Sequence, residues 1–333
     1  DEPTAALSET EVEDLFQIIR RLKNDGVGII YISHRLAELK QIADRLTVMR
    51  DGKYVDTVSI NDVTSDDIVK MMVGREIYVS APEVNTSNDA AVALEVRGLS
   101  RGKFVKNVSF KVKEGEILGI AGLMGAGRTE TARVIFGADP RDAGEIYVDG
   151  KLVNIKTPTD AVNAGIAYLS EDRKLFGLAL GLDVETNISL AFFKNFTKLF
   201  GFIDTKKTKS NAEEMVQKLR IKTPSIKQKV KNLSGGNQQK VVLAKGLTLN
   251  CNVLIFDEPT RGRDVGAKSE IYNLLNDLAK QGKAVIVISS ELPEIIRISH
   301  RVLVMCEGRI TGEVTGEEIN QEKIMTLATK HMD

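Results

Sequence analysis

The sequence predicts an α/β fold whose central sheet is largely parallel. Short β-rich runs alternate with helical patterns from residue 92 onward, as they do in strand–helix–strand units. A glycine-rich loop, GLMGAGRTE at 122–130, follows one of these strands and opens a helix. The phrase DEPT opens the chain and recurs at residue 257, which indicates a duplicated domain.

The duplication defines the predicted domains. Sliding the sequence by 256 positions aligns Asp1 with Asp257, and 17 positions within residues 1–59 are then identical without a gap. Because the second copy begins near Val92, well before its own DEPT, we expect the first copy to lack a similar length at its front. The sequence therefore predicts the C-terminal part of a first domain at 1–79, a linker at 80–91 and a second domain at 92–333.

Each element follows from its residue pattern. EVEDLFQIIRRLKND has apolar residues at helical spacing, and GVGIIYIS after it predicts a short, buried strand. SAPEVNTSNDAA, at 80–91, has neither helical nor strand periodicity, which is typical of a linker. In the second domain, strands are predicted at ALEVRGL, VSFKV, EILGIAG, VLIFDEP and AVIVISS, and helices at RTETARVIFG and EIYNLLNDLAKQG.

Composition excludes several classes of protein. The 46 basic and 46 acidic residues cancel, so the charge does not indicate a general binder of nucleic acid or of anionic membranes. Cys251 and Cys306 are too far apart in sequence to indicate a metal or disulfide framework, and a reducing cytosol fits them best. No apolar run reaches the ~20 residues of a membrane helix, so another subunit would span any membrane involved.

The glycine loop is a candidate phosphate site. Gly122, Gly125 and Gly127 allow the backbone to curl so that successive N–H groups point at an anion, and the following helix adds the positive end of its dipole. Ala126, between two of these glycines, is a candidate nucleotide contact as well. Thr129 is placed where a hydroxyl would bind Mg²⁺.

Two residues depart from the usual loop. Arg128 stands where such loops carry lysine; it keeps the positive charge and is expected to reach the phosphates, although its planar guanidinium is bulkier and aimed differently from an ammonium group. Glu130 adds a carboxylate near the phosphates, which opposes ATP binding. Three interpretations of the loop by itself remain open: a working site, a degenerate site, or a glycine turn without a ligand.

Two further motifs favour a phosphate site. VLIFDEP, at 253–259, is a buried strand that ends in two acids: Asp257 would hold Mg²⁺ and Glu258 would polarise the attacking water. LSGGNQQK, at 233–240, begins a helix with a hydroxyl and free N–H groups, although a glycine-hinged helix cap is the alternative. The candidate phosphate ligands of this second motif are Ser234, Gly235, Gly236 and Gln238.

With these motifs in this order, residues 92–333 resemble an ATP-binding domain of the ABC family. The phrases GLMGAGRTE, YLSEDRK, KTPS, LSGGNQQK, DEPTRGRDVGAK and ISSELPE are similar to the second domain of the double-domain ATPase subunits of bacterial ribose, galactose and xylose importers. The resemblance covers essentially all of 1–333. It implies a P-loop fold with a mostly parallel central sheet, an antiparallel β subdomain and a helical subdomain.

The resemblance also implies two unequal sites, because ABC domains pair head to tail and each ATP lies between one domain's phosphate loop and the other's signature. In the first copy, Asp1 matches the metal-binding acid, Glu2 the water-polarising acid and His34 the switch histidine near the γ-phosphate. The second copy has Ser290 at the histidine position, and the usual glutamine is replaced within Ser170–Glu171, where Glu171 is a candidate cofactor-binding residue. The second domain's own site is therefore expected to be degenerate, whereas its signature at 233–240 would serve the first site.

What the resemblance implies about function is energy coupling for sugar import, with ATP and Mg²⁺ as cofactors. Two ATP molecules would close the domain pair, and hydrolysis at the first site would reopen it. Phe104 is a candidate for stacking on adenine. Without the first domain's phosphate loop, this chain by itself is expected to hydrolyse ATP weakly.

The implied partners are a second ABC domain, membrane-spanning permease subunits reached through residues 175–230, and indirectly a sugar-binding protein outside the membrane. No nucleic acid is implied, and the expected location is the cytoplasmic face of the bacterial plasma membrane. Two alternatives remain open: a soluble ABC ATPase acting on ribosomes or DNA, and a regulatory nucleotide binder that does not hydrolyse. The sequence does not indicate which sugar is carried.

Overall fold

A computed structural model describes residues 3–4, 9–33, 36–50, 52–64, 67–68, 71–72, 90–191, 193–197, 202–261 and 265–330. The chain divides into two compact units. One comprises Asp1–Tyr78 with Gly262–Glu270, and the other comprises Val79–Arg261 with Ile271–Asp333. The predicted linker at 80–91 lies outside the described residues except for its last two positions, so its boundaries stay a prediction.

The described residues of the first unit include helices α1 Glu9–Asn24 and α2 Leu36–Ile42 and a hairpin of β1 Arg45–Arg50 and β2 Lys53–Ser59. The two strands are antiparallel, and the register shifts between Val48 and Met49. A small apolar core is built on the buried side chains of Phe16, Leu39, Val48, Ile60 and Ile68.

The rest of the chain supplies ten strands and eight helices within the described residues. The strands are β3 Val92–Arg101, β4 Val105–Lys113, β5 Ile117–Gly122, β6 Ala143–Val148, β7 Lys151–Val153, β8 Ile166–Leu169, β9 Val253–Asp257, β10 Ala284–Ile288, β11 Arg301–Cys306 and β12 Arg309–Thr315. The helices are α3 Arg128–Ile135, α4 Pro158–Asn163, α5 Val184–Leu190, α6 Thr205–Lys218, α7 Gly235–Thr248, α8 Val265–Lys280, α9 Leu292–Ile298 and α10 Gln321–Ala328.

The central sheet of the second unit has the strand order β12-β11-β5-β10-β9-β8. All neighbours are parallel except β11 and β12, which form an antiparallel hairpin. Every residue of β9 and of β10 is buried, because helices or other layers cover both faces of such a sheet. The predicted largely parallel α/β fold is confirmed.

Two smaller layers complete the second unit. Strands β4-β3-β6-β7 form an antiparallel sheet of four strands. Helices α5, α6 and α7 pack on one another as a separate helical region. These layers are the antiparallel and helical subdomains that the family resemblance implies.

The duplication is visible in the elements themselves. Helices α1 and α2 and strands β1 and β2 have counterparts with the same bounds 256 positions later, namely α8, α9, β11 and β12. Both hairpins have a register shift at the same point, Val48/Met49 in the first and Val304/Met305 in the second. The local hydrogen bonds recur as well: Thr4 donates to Glu38 at 2.7 Å, and Thr260 donates to Glu294 at 2.7 Å.

One predicted element is wrong. GVGIIYIS was expected to be a buried strand, but residues 27–33 form no strand, and Ile30 is 92% exposed. Its counterpart Ile286 is 1% exposed because β10 pairs with β5 on one side and with β9 on the other. The described residues of the first unit offer only the β1–β2 hairpin, so the same apolar pattern has no neighbouring strands to pair with.

Candidate functional site

The glycine loop links β5 to α3 at the carboxyl edge of the central sheet. Gly125 and Gly127 have φ angles of 79° and 95°, which favour glycine. Gly127 precedes the first residue of α3 and provides no side-chain cap, so the first N–H groups of that helix are not bonded by a cap side chain. The loop therefore has the backbone of an anion-binding turn.

Close packing requires glycine at two points of this loop. A Cβ atom on Gly127 would lie 2.4 Å from the carbonyl oxygen of Phe104, and one on Gly122 would lie 2.4 Å from that of Met305. Ala126 between them is buried. The ring of Phe104 itself is 46% exposed beside the loop, so it is accessible to a ligand.

Arg128 is the first residue of α3, and its side chain is buried. Its Nη1 donates to the backbone carbonyl of Ser289 at 2.6 Å, and its Nη2 lies 3.9 Å from Oε1 of Glu258. Burial lowers the pKa of Arg128, and the negative charges of Glu258 and Asp257 oppose this shift. A guanidinium group remains charged in such surroundings, so the site contains a buried cation that is already paired.

Asp257, the last residue of β9, is 1% exposed. Thr129 donates to its Oδ1 at 3.1 Å and Tyr168 donates to its Oδ2 at 2.7 Å. Burial raises the pKa of Asp257, whereas these two hydrogen bonds lower it. The adjacent hydroxyl and carboxylate oxygens of Thr129 and Asp257 are of the type that Mg²⁺ prefers, so these two residues fit that ion.

Glu258 follows β9 in a left-handed conformation, with φ at 48°, which a residue other than glycine adopts at some cost. Ser290 donates to its Oε2 at 3.1 Å. Burial raises the pKa of the Glu258 carboxyl, and the hydrogen bond from Ser290 and the charge of Arg128 oppose that shift. The structure thus brings the loop, both acids and Ser290 together.

Glu171 lies two residues after β8 and forms an ion pair with Arg261. Both side chains are substantially exposed, so the pair contributes little to stability. Its charge nevertheless acts on Arg128 and on Asp257. At the position where glutamine was expected, Glu171 therefore supplies a carboxylate that is paired with Arg261, four residues after the end of β9.

The LSGGNQQK segment presents the start of α7. Ser234, Gly235 and Gly236 are exposed, and the hydroxyl of Ser234 does not cap its own helix. Instead, Asn237 donates to Oγ of Ser234 at 2.9 Å. A partner domain could therefore reach the hydroxyl and the N–H groups of this helix start.

Gln238 has a different environment from these exposed neighbours. Its side chain is buried, and Nε2 donates to the carbonyls of Val230 and Leu233, each at 3.2 Å. Its amide nitrogen holds the segment that leads into α7. The interpretation of Gln238 as a direct nucleotide ligand does not match this placement, because the amide nitrogen is engaged inside the domain.

Three of the predicted site residues, Asp1, Glu2 and His34, lie outside the described residues. Two residues of the site were not anticipated: Tyr168, which donates a hydrogen bond to Asp257, and Arg261, which forms an ion pair with Glu171. Tyr168 stands in the YLSED phrase, but its partner is apparent only once β8 is known to lie beside β9.

Comparison with known proteins agrees with this geometry. The family model of the ABC transporter matches residues 105–261, from β4 through the residues that follow β9. This match assigns residues 105–261 to the ABC transporter family.

Full-length relatives extend the comparison to nearly the whole chain. A protein of Burkholderia cenocepacia (strain HI2424), provisionally named as a ribose/galactose/methyl galactoside import ATP-binding protein, is 58% identical over 330 residues. That alignment covers 99% of this chain and 64% of the relative. The ribose import ATP-binding protein RbsA of Clostridium tetani is 52% identical, with 98% of this chain and 65% of the relative covered. The chain thus spans somewhat less than two thirds of these relatives.

Solved structures show the same fold at lower identity. A nucleotide-free ATP-binding cassette from an ABC transporter is 22% identical, with a TM-score of 0.60 over 72% of this chain and 96% of that one. A dimeric bacterial ABC transporter cassette is 25% identical, with a TM-score of 0.56 over 68% of this chain and 99% of that one. In the described part of the ABC chain, no helix has the length and apolar character needed to cross a bilayer.

Proposed function

We propose that the protein is the ATP-binding and ATP-hydrolysing subunit of an ABC importer for monosaccharides. The observation that carries this proposal is the 58% identity, over 330 residues, with a relative whose name gives ribose, galactose and methyl galactoside import. The loop, the paired acids and the exposed signature provide the chemistry that such a subunit needs.

Hydrolysis is assigned to the first site. There Glu2 would orient the attacking water, His34 would contact the γ-phosphate and Asp1 would hold the metal ion. The exposed Ser234 and the N–H groups of α7 would close on the same ATP from the second domain. The phosphate loop of this site would come from another ABC domain.

The second site is assigned a binding role. Arg128 replaces the phosphate lysine, Ser290 replaces the switch histidine and Glu171 replaces the glutamine, while Glu258 is held beside Arg128. When bound with a nucleotide, Mg²⁺ neutralises phosphate charge. Thr129 and Asp257 would supply its protein oxygens here, while the N–H groups from Gly122 to Thr129 bind the phosphates.

A groove where the helical region meets α4 and β8 is a suitable contact for the membrane-spanning permease. It has a volume of 440 Å³ and is lined by Phe176, Leu190 and Phe193 among other residues. Phe176 is 58% exposed, which leaves apolar surface for a partner. Lys245 also lines the groove; it donates to the carbonyl of Gly177 at 3.0 Å, and burial lowers its pKa.

Through this contact the protein would lie on the cytoplasmic face of the bacterial plasma membrane. A sugar-binding protein outside the membrane would act on it only through the permease. Closure of the two ATP-binding domains would thus be transmitted to the permease by the helical region.

A second candidate is a nucleotide-binding regulator that does not hydrolyse. The contacts of Arg128 with Ser289 and Glu258 favour it, because they leave the one site contained within the described residues without a free water-polarising acid. The two candidates differ in their dependence on Ser234, which matters only if ATP is enclosed between two domains.

Sugar uptake by cells distinguishes the importer subunit from the regulator that does not hydrolyse ATP. We expect Ser234→Arg in the full-length protein to abolish uptake of labelled ribose or galactose, because the larger cation blocks the helix start that faces ATP. Ser59→Arg, at an exposed serine that ends β2, is the matched control and should leave uptake unchanged. Normal uptake by the Ser234→Arg variant, with the protein present at the membrane in normal amount, would contradict the importer assignment.

A further inference from the structure

We infer that the site at 122–129 selects a nucleoside diphosphate over a triphosphate, because Arg128 occupies the edge of the sheet where a terminal phosphate would lie. This inference rests on the proposed role of the loop as a nucleotide site. It adds the chemical class of the occupant and departs from the expectation that both sites hold ATP.

The position of the phosphates follows from the loop. N–H groups of the loop and of the start of α3 are placed to hold the first two phosphates. A third phosphate would extend toward the residues that follow β9 and β10, because the acid that polarises water in phosphate-loop ATPases lies there. In this chain those residues are Glu258 and Ser290.

The guanidinium of Arg128 crosses this space and is fixed at its far end. It donates to the carbonyl of Ser289 at 2.6 Å. That carbonyl is well positioned, because the hydroxyl of Ser289 donates to Glu294 at 2.5 Å and accepts the N–H of Glu291 at 3.0 Å. A lysine at position 128 would place one compact ammonium group in this space. The planar guanidinium of Arg128 instead reaches two fixed acceptors, the carbonyl of Ser289 and the carboxylate of Glu258.

The charges around Arg128 also disfavour a third phosphate. Four carboxylates act on Arg128: those of Glu258, Asp257, Glu130 and Glu171. The arginine is thus already neutralised by protein acids, and a triphosphate would bring further negative charge to the side where Glu258 lies 3.9 Å from Nη2. To bind that phosphate, the guanidinium must leave Glu258 and expose the carboxylate to it. A diphosphate held by the loop requires neither change.

Isothermal titration of this chain, residues 1–333, with ADP and with ATP, each at excess Mg²⁺, tests the inference. We expect ADP to bind at least about tenfold more tightly than ATP, the size of one lost hydrogen bond to a charged group. Arg128→Lys should reduce this ratio to near one, because an ammonium does not span to Ser289 and Glu258. Glu258→Gln, which removes the opposing charge, should reduce it as well and provides a second test if Arg128→Lys fails to fold.

A matched control lies on the same helix. Arg133 pairs with Asp139 at 2.8 Å and not with Glu258, so Arg133→Lys should leave the ratio of the two affinities unchanged. ATP that binds the unaltered protein as tightly as ADP, or a ratio that neither Arg128→Lys nor Glu258→Gln changes, overturns the selectivity but leaves the nucleotide site. Absence of binding by both nucleotides overturns the site as well, whereas the importer assignment is decided separately by sugar uptake.

Discussion

At the scale of single residues, the site is dominated by buried charges that are held by short side chains. Asp257 receives hydrogen bonds from Thr129 and Tyr168, and Glu258 receives one from Ser290. Burial is nevertheless the largest influence on both carboxyls and raises the pKa of each. Ionising Asp257 and Glu258 in the folded protein therefore costs free energy of folding, which is expected of groups that serve a ligand.

This cost gives a prediction for Asp257. Burial raises the folded-state pKa of the Asp257 carboxyl above its ordinary value of 3.8. This carboxyl therefore favours the folded state below pH 3.8, and that contribution is lost as the pH rises through the folded-state pKa. Asp257→Asn should stabilise the protein, and more at pH 8 than at pH 4, close to the ordinary pKa. Urea denaturation without divalent metal at the two pH values measures this difference. An equal effect at both, or destabilisation at pH 8, would show that burial does not control this carboxyl.

Sequence alone predicted the position of these residues but not their contacts. The motif order places the loop, Asp257 and Glu258 at one edge of the sheet, and the structure brings them together there. The direction of Arg128 depends on the carbonyl of Ser289, 161 residues away, and Gln238 turns into the domain. Such contacts depend on strand order and on packing, which the spacing of motifs does not contain.

At the scale of elements, the two copies show that an apolar pattern needs neighbours to become a strand. Residues 284–288 form β10 between two parallel partners, whereas residues 27–33 form no strand. Sequence periodicity predicted a strand at both segments, because periodicity reports the side-chain pattern and not the presence of pairing strands. The helices and hairpins, whose contacts are more local, recur with the same bounds in both copies.

The paired positions Ile30 and Ile286 make this difference measurable. Ile286→Asn should lower the free energy of unfolding by about 3–5 kcal/mol, because it empties core volume and buries an amide. Ile30→Asn in this chain should change it by no more than about 0.5 kcal/mol, since that side chain is 92% exposed. Denaturant unfolding of both variants makes the comparison, and similar losses would mean that residues 27–33 are buried as a strand.

At the scale of the whole molecule, the central claim is that the two nucleotide sites are unequal. Ser234 to Gly236 are exposed at the start of α7. In the proposed function they serve the first site, while Arg128, Ser290 and Glu171 alter the second. If this is correct, a change in the second domain's signature affects hydrolysis at the first site. A change in the second domain's own acid then has a smaller effect.

The most direct measurement compares permease-coupled ATP hydrolysis in the full-length protein for Glu2→Gln and for Glu258→Gln. We predict a loss on the order of 10²-fold or more for Glu2→Gln, the scale of a missing general base. Glu258→Gln should cost less than about tenfold, because Arg128 already pairs with that acid. Glu317→Gln, at an exposed position, is the control and should retain the full rate. Equal losses at Glu2 and Glu258 would mean that both sites hydrolyse ATP and would contradict the account.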